Sequence, residues 1–310
     1  MSDGIYWIAS YPKSGNTWMR SFIANLTNED EGEVDINEFN TGSIASARGW
    51  AEEELGFDIG ALNHDEIDRL RSVVYSQTAR RAEQCEYHKI HDAYTFLPDG
   101  KPLIPSDAIT GVLYILRNPL DVAISFAHHS HCSIDQAIKN MGNPDFAFGR
   151  GSQRQHKQLR QWLLTWSMHV SSWADVEGIN RMVVRYEDMK LKSCQTFTAI
   201  TRFLQLPDEQ EKIEQALNKC DIKKLQQQEK EKGFNEKSAK TASFFRKGIV
   251  GDWQNTLTEK QVEQIITNHA EVMLRFGYLD SQGQPLVEPL EMNSQLLANS
   301  CGKDISGAKK

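Results

Sequence analysis

The chain has 310 residues, of which 39% are hydrophobic and 25% charged, values typical of a globular protein with a sizeable core. Its formal net charge of −7 argues against a general nucleic-acid-binding protein, and no run of 18 apolar residues is present that could cross a membrane. Five cysteines without C-x-x-C spacing favour reduced thiols over a zinc site. The first residues, "MSDGIYWIAS", lack the basic and apolar regions of a signal peptide, so we expect a cytoplasmic protein.

Four short apolar runs predict buried β-strands, at residues 4–10, 85–91, 109–117 and 181–186. Stretches with helical spacing separate them. Strands that alternate with helices predict an α/β fold, in which a P-loop-like parallel sheet is flanked by helices on both faces. We expect residues 1–280 to form a single domain and the polar tail, residues 281–310, to be disordered.

The middle and the end of the chain give further predictions. Residues 129–154 are polar and contain glycine, which predicts a loop that could close over a site. The apolar spacing in residues 155–175 predicts a long helix, and a second long helix is predicted at residues 257–278.

The stretch "ASYPKSGNTWMR" follows the first predicted strand and precedes a helix. Lys13 comes before Gly15, so the order differs from the nucleotide-binding motif G-x-x-x-x-G-K-[ST]. Backbone N–H groups at the start of a helix bind anions, and Ser14, Gly15, Asn16 and Thr17 would supply such groups, with Lys13 as a cation. This loop alone is also compatible with a glycine turn beside a surface lysine.

Arg117 ends the third predicted strand, and its side chain helps to indicate which kind of nucleotide the site would bind. ATP-using P-loop enzymes hold Mg²⁺ partly through an acid at such a strand end. An arginine cannot bind a metal, but its guanidinium suits a phosphate. Ser125 lies about two helical turns further on and could share that phosphate. Two separate basic subsites without a metal fit a nucleotide phosphorylated at both its 5′ and 3′ positions.

Three segments, "YPKSGNTW", "LRNPLDVAISFAHH" and "FFRKGIVGDW", resemble in order and spacing the motifs of cytosolic-type sulfotransferases. The resemblance covers residues 4–279. Asn16, where the family commonly has threonine, is similar to some bacterial natural-product members. These enzymes use 3′-phosphoadenosine 5′-phosphosulfate (PAPS) and leave 3′,5′-ADP (PAP), so the resemblance implies a PAPS-dependent sulfotransferase. Residues 220–225, "CDIKKL", replace the family's adenine-contacting "TSFxxM", which puts those contacts in doubt.

The resemblance implies a role for each matching nucleotide-binding residue. The first loop would bind the 5′-phosphosulfate, and Trp18 and Tyr186 would contact the adenine. Arg117 and Ser125 would bind the 3′-phosphate together with the "FFRKG" segment. The complete implied set is Lys13, Ser14, Gly15, Asn16, Thr17, Trp18, Arg117, Ser125, Tyr186, Phe244, Arg246, Lys247 and Gly248.

Lys89 and His91 match the family's Lys-x-His, in which the histidine is the catalytic base. Lys13 and Lys89 would stabilise charge on the transferred group, and no metal is required. The run "HHSH" at residues 128–131 could suggest zinc, but no carboxylate or cysteine set completes a tetrahedral site, although Cys132 is adjacent. We therefore expect no metal.

Two other functions are kept open: a P-loop kinase that uses ATP and Mg²⁺, and a nucleotide-binding protein that has lost catalysis. The missing kinase-type motif and Arg117 count against the first. Intact Lys13, Lys89 and His91 count against the second. The acceptor would be a hydroxyl or amine of a small molecule, and the polar predicted loops favour a polar natural product over a steroid or lipid.

The family's short dimer motif, K-x-x-x-T-V-x-x-x-E, is only partly present. Thr258 and Glu263 match it, whereas Gln254 and Glu259 replace its lysine and valine. The sequence therefore leaves monomer and homodimer open.

Overall fold

A parallel sheet lies at the centre of the protein. The computed structural model describes residues 3–151, 157–237 and 243–291. In chain order the strands there are β1 (Gly4–Ser10), β2 (Cys85–Ile90), β3 (Gly111–Leu116), β4 (Ala147–Phe148), β5 (Gln161–Trp162) and β6 (Arg181–Arg185). The central sheet has the order β2-β1-β3-β6 with every neighbouring pair parallel, and β4 and β5 form a separate antiparallel ribbon.

Helices cover both faces of this sheet. They are α1 (Asn16–Thr27), α2 (Arg48–Leu55), α3 (His64–Arg81), α4 (Pro119–Ser130), α5 (Ile134–Met141), α6 (Trp166–Ala174), α7 (Tyr186–Leu191), α8 (Ser193–Phe203), α9 (Gln210–Lys219), α10 (Ile222–Lys232) and α11 (Glu259–Arg275). Within the described part of the chain, none of them is long and apolar enough to cross a membrane.

The alternation of side chains along β1 explains the two covered faces. Ile5 and Trp7 pack in one hydrophobic cluster with residues of α3, α4, α6 and α11. Tyr6 and Ile8 pack in a second cluster with residues of α1, α8 and α9. Because successive strand residues point to opposite faces, one buried strand needs a helical layer on each side. The predicted α/β fold is confirmed.

The strand register brings the ends of four strands to one edge. Ser10 at the end of β1 is level with Ile115 in β3, and Leu116 is level with Arg185 in β6. Ala9 pairs with Ile90 at the end of β2. The segments that follow these strands therefore meet at a single edge of the sheet, where ligands bind in open α/β folds.

The long helix predicted at residues 155–175 is wrong in its first half, because only Trp166–Ala174 of its described part is helical, as α6. Residues 152–156 lie outside the described residues. The strand β5 lies at Gln161–Trp162, and α6 begins only at Trp166. Leu164 has a left-handed backbone, with φ of 58°, which an α-helix does not allow. Instead, Trp162 O accepts a hydrogen bond from Ala93 N (2.7 Å), and Trp162 N donates one to the Asp92 carboxylate (3.1 Å). Tertiary hydrogen bonds therefore override the helical spacing of the apolar residues.

The irregular loop predicted at residues 129–154 is also partly wrong, because it contains α5 and β4. Ser133 caps α5 by accepting a hydrogen bond from Gln136 N, and Ala137, Ile138 and Met141 are buried. The final predicted helix exists as α11, although it is shorter at both ends than predicted.

The first part of the expected tail packs on the rest of the protein. Leu286 N donates to Tyr278 O (3.0 Å), and Leu290 N donates to Gly277 O (2.9 Å). Val287 contacts the larger hydrophobic cluster. This part of the tail thus packs on the residues that follow α11, and residues 292–310 lie outside the described residues.

Candidate active site

The loop between β1 and α1 is set by two residues with left-handed backbones, Lys13 (φ 71°) and Gly15 (φ 106°). A Cβ on Gly15 would lie 2.7 Å from Cδ2 of Tyr186, so only glycine allows this ring to lie against the loop. Gly15 is the N-cap of α1 and makes no side-chain cap bond. As at any helix start, the first backbone N–H groups of α1 lack intrahelical partners, and Gly15, Asn16 and Thr17 line the cavity beside the sheet.

Asn16 directs its side-chain donors into the protein. Its Nδ2 donates to Ile8 O (2.8 Å) and to Ser10 Oγ (3.2 Å), which ties the start of α1 to the end of β1. Ser14 Oγ and Asn16 Oδ1 are buried and have no hydrogen-bond partner among the described residues. At Asn16 the backbone N–H, rather than the amide NH₂, is the donor left for an anion.

A cavity of about 680 Å³ opens at this edge of the sheet. The cavity is lined by every residue of the predicted site except the fully buried Ser14: Lys13, Gly15, Asn16, Thr17, Trp18, Lys89, His91, Arg117, Ser125, Tyr186, Phe244, Arg246, Lys247 and Gly248. The structure thus brings together residues that are up to 235 positions apart, as the difference between Lys13 and Gly248 shows.

The charged form of Lys13 is disfavoured by its surroundings. Burial lowers its pKa to about 7, and the neighbouring charges of Lys89 and Arg117 add to the shift. Its Nζ lies 3.8 Å from the ring centroid of Phe244, which compensates part of the lost hydration through a cation–π contact. This lysine gains from any anion that enters the cavity.

Lys89 is held by an acid that the sequence did not reveal. Its Nζ donates to Glu236 Oε2 (2.8 Å), while Arg20 NH1 donates to Glu236 Oε1 (2.5 Å). Burial lowers the pKa of Lys89. Burial also opposes the charged form of Glu236, but Lys89 and Arg20 outweigh it and lower the pKa of this carboxyl group.

His91 is fixed in one ring orientation. Its Nδ1 lies 2.8 Å from Ser10 O and 3.3 Å from Ser10 Oγ. Because a carbonyl oxygen only accepts, Nδ1 carries the proton and Nε2 carries a lone pair. Burial, followed by the charge of Lys89, lowers the pKa of His91 well below its ordinary value. The imidazole is therefore neutral near pH 7 and can accept a proton.

The other histidines near this end of the sheet differ in what they can do. Both ring nitrogens of His88 are occupied, by Ser43 O (3.0 Å) and Glu86 Oε2 (2.8 Å), and its ring stacks on Trp50. His129 lines the cavity, and burial lowers its pKa to about 4. Over the described ranges, no group of three or more His, Cys, Asp or Glu side chains is arranged to hold a metal ion.

Arg117 joins three parts of the site. Its NH1 donates to Lys13 O (3.1 Å), and its NH2 donates to Ile249 O (3.1 Å). Its guanidinium lies 4.4 Å from the ring centroid of Tyr186. Its Nε is buried and has no partner within residues 3–151, 157–237 and 243–291.

Acidic residues hold residues 244–253, the "FFRKGIVGDW" segment, in place. The Glu229 carboxylate accepts from Phe244 N (2.7 Å) and Phe245 N (3.0 Å). Asp121 accepts from Gly251 N (2.8 Å) and Trp253 N (3.0 Å). Sequence reasoning assigned no role to these acids. Asp121 lies within "LRNPLDVAISFAHH", whereas no local sequence motif marks Glu229.

Asp252 pairs with the two basic residues of the same segment. Its carboxylate lies 2.6 Å from Arg246 NH2 and 2.7 Å from Lys247 Nζ. Arg246 and Lys247 both line the cavity, and the single Asp252 carboxylate offsets only one of their two positive charges.

Comparison with known proteins identifies the family. Residues 3–277 match the family model described as the sulfotransferase domain. The chain belongs to this sulfotransferase family. Its sequence is 23% identical over 296 residues to cytosolic sulfotransferase 17 of Arabidopsis thaliana, covering 89% of this chain and 76% of the plant protein. It is 25% identical to sulfotransferase 2A1 of Macaca fascicularis, and the alignment covers 83% of this chain and 79% of the macaque protein.

Two solved structures show the same fold. Mouse sulfotransferase SULT7A1 complexed with PAP aligns with a TM-score of 0.54 and 20% identity, covering 88% of this chain and 84% of the mouse chain. Retinol dehydratase in complex with androsterone and the inactive cofactor PAP aligns with a TM-score of 0.56 and 16% identity. The alignment covers 87% of this chain and 80% of the retinol dehydratase chain.

Proposed function

We propose that this sulfotransferase-family protein transfers a sulfuryl group from PAPS to a hydroxyl or amine of a small molecule, with a polar natural product as the acceptor. One observation carries the proposal. The anion-binding loop with Lys13, the second basic subsite at Arg117 and Ser125, and the pair Lys89 and His91 all line one cavity. A kinase site would need an acid at the position of Arg117, directly after β3.

The residues present fit a nucleotide with two phosphate groups. Ser14 Oγ and Arg117 Nε are buried without partners among the described residues. The N-terminus of α1 adds backbone donors for an anion. Trp18 and Tyr186, whose ring centroids are 5.8 Å apart, provide aromatic surfaces for the adenine. Ile222 packs closely on Gly248, since a Cβ added to this glycine would lie 3.0 Å from the Ile222 side chain. We therefore expect residues 220–225 to close the nucleotide end of the cavity.

PAPS supplies an activated sulfuryl group when it is bound. His91 would take the proton of the acceptor at Nε2, because its Nδ1–H is fixed on Ser10 O. Such a base contributes roughly 10²–10⁴-fold to the rate. Lys13 and Lys89 would stabilise the charge that develops at the bridging oxygen and on the transferred group.

Binding of PAP against binding of ATP tests the nucleotide part of this proposal. PAP was the ligand in the solved mouse and retinol dehydratase structures, which motivates its choice. We expect PAP to raise the melting temperature clearly and ATP with Mg²⁺ to raise it little. The opposite result would support the kinase alternative.

Transfer itself is tested with PAPS labelled in its sulfuryl group and a panel of small hydroxyl and amine compounds. We expect labelled product, in EDTA as well as without it. PAP binding without transfer to any acceptor would instead support a nucleotide-binding protein that has lost catalysis.

A further inference from the structure

The β4–β5 ribbon forms the wall of the cavity beside His91. Phe148 and Gln161 are directly opposed across the ribbon and both line the cavity. Directly opposed residues of an antiparallel pair project from the same face. The ribbon is fixed next to the strand end that carries His91, because Trp162 N donates to Asp92 Oδ1 (3.1 Å). The wall therefore lies where an acceptor must approach the base.

Gln161 is an unusual residue in this wall. Its side chain is 97% buried, and its Nε2 donates to Gln158 Oε1 (3.0 Å). Its Oε1 is buried and has no hydrogen-bond partner in the part of the chain that the structure describes. A buried unpaired carbonyl oxygen destabilises a folded protein. The bond to Gln158 uses only the Nε2 end of the amide, so the Oε1 end is left for a donor that enters the cavity.

The surroundings of Gln161 define the acceptor further. Phe148 stacks on Phe126, with ring centroids 5.7 Å apart and planes 24° apart, and it offers a flat apolar surface. Pro12 and Ile44 add further apolar lining. A ring compound can therefore lie against Phe148 while one polar group reaches Gln161.

We infer that Gln161 recognises a second hydrogen-bond donor of the acceptor, so that the preferred acceptor is a ring compound bearing a hydroxyl or N–H besides the group that is sulfated. This inference rests on the proposed function. It assigns Gln161 to specificity, because the oxygen can accept one hydrogen bond but has no part in moving the proton or the sulfuryl group.

Matched phenols test the inference. Hydroquinone and resorcinol each carry a second donor, their monomethyl ethers lack it, and phenol lacks the whole group. We expect kcat/KM for the better dihydric phenol to exceed the values for its ether and for phenol by at least about 10-fold, because a site built to bond a donor rejects analogues without one. A dihydric phenol also has two hydroxyls that can be sulfated where its ether has one, but this doubling raises kcat/KM only about 2-fold.

Gln161→Leu should reduce this preference to about the 2-fold statistical value, because the oxygen that distinguishes the phenols is gone. Gln161→Met is a second variant that also removes the oxygen while keeping an unbranched side chain. Gln210→Leu, at the exposed start of α9, is the control that should keep the preference. The PAP-induced thermal shift shows that each variant is folded with an intact nucleotide site.

The outcomes separate the two proposals. Wild-type protein that turns over dihydric phenols and their ethers equally overturns the inference, as does a preference that survives both substitutions at Gln161. Binding of PAP without sulfation of any of these phenols also overturns it but leaves the nucleotide site standing. Failure to bind PAP contradicts the proposed function itself.

Discussion

Lys89 Nζ donates to Glu236 Oε2 across 2.8 Å, although the two residues are 147 positions apart in the chain. The other carboxylate oxygen accepts from Arg20 in α1. One acid thus joins β2, α1 and the segment after α10 at the edge of the cavity. The arrangement orients Lys89 in the free protein and limits the excess positive charge of the site.

Glu236→Gln should lower the unfolding free energy by about 1–3 kcal/mol near pH 7, because Lys89 loses a charged partner in a buried place. The folded-state pKa of Glu236 is lowered, so its stabilisation is present above the unfolded value of 4.5 and is lost as the pH falls below it. The difference between wild type and variant, measured by urea unfolding, should therefore shrink from pH 6 towards pH 3.5. A constant difference, or one no larger than that of the exposed control Glu214→Gln, would contradict the assignment.

Binding of PAP should take up a proton at pH 8. The pKa of Lys13 is about 7 in the free protein, and a bound phosphate would raise it. The affinity should then fall by up to about 10-fold per pH unit above pH 7, because the complex holds more protons than the free protein. Calorimetry in buffers of different ionisation enthalpy measures the uptake. Lys13→Arg keeps the cation but cannot titrate, so uptake that persists in this variant would assign the proton to another group.

His91→Ala should leave PAP affinity within about 3-fold of wild type but lower turnover by at least about 100-fold, since only the base is lost. The lowered pKa of His91 keeps it unprotonated at neutral pH, so the acid side of the wild-type rate profile should lie below pH 6.5. Steady-state kinetics with an accepted substrate measures both effects. His64→Ala, on α3, is the control, and near-normal turnover of His91→Ala would move the role of base to His129.

Gly15→Ala should weaken PAP binding and lower the unfolding free energy by about 1–3 kcal/mol. The new Cβ would meet the Tyr186 ring at 2.7 Å, on a backbone with φ of 106°. Gly49→Ala provides a matched control, because a Cβ there has no neighbour within 4 Å and lies in α2. That change should stabilise by up to about 1 kcal/mol. Equal effects of the two substitutions in thermal unfolding would disprove the close contact.

Wild-type protein should bind PAP at least about 10-fold more tightly than 5′-AMP, since a charged hydrogen bond contributes about 1.5–3 kcal/mol. In Arg117→Ala this ratio should fall towards one. The ratio is the useful readout because Arg117 also supports Lys13 O, so the substitution weakens both ligands through the loop. Arg202→Ala, an exposed residue of α8, should leave the ratio unchanged. An unaltered ratio in Arg117→Ala would place the 3′-phosphate elsewhere.

Local sequence was enough to predict four of the six described strands, the parallel sheet and most of the candidate site. Lys13, His91, Arg117 and Tyr186 could be predicted because each lies within three residues of the end of an apolar strand. In a parallel sheet those ends meet at one edge, so the position of such residues follows from local sequence.

The partners of these residues and the wall of the cavity, in contrast, could be found only in the folded protein. Glu236 is recognisable only through its contact with Lys89, and Gln161 only through its buried, unpaired oxygen. The spacing of apolar residues around Gln161 predicted a helix, but Trp162 bonds to Asp92, 70 positions earlier, and forms a strand instead. Helical periodicity is a local property, whereas these contacts join distant segments whose pairing depends on the completed fold.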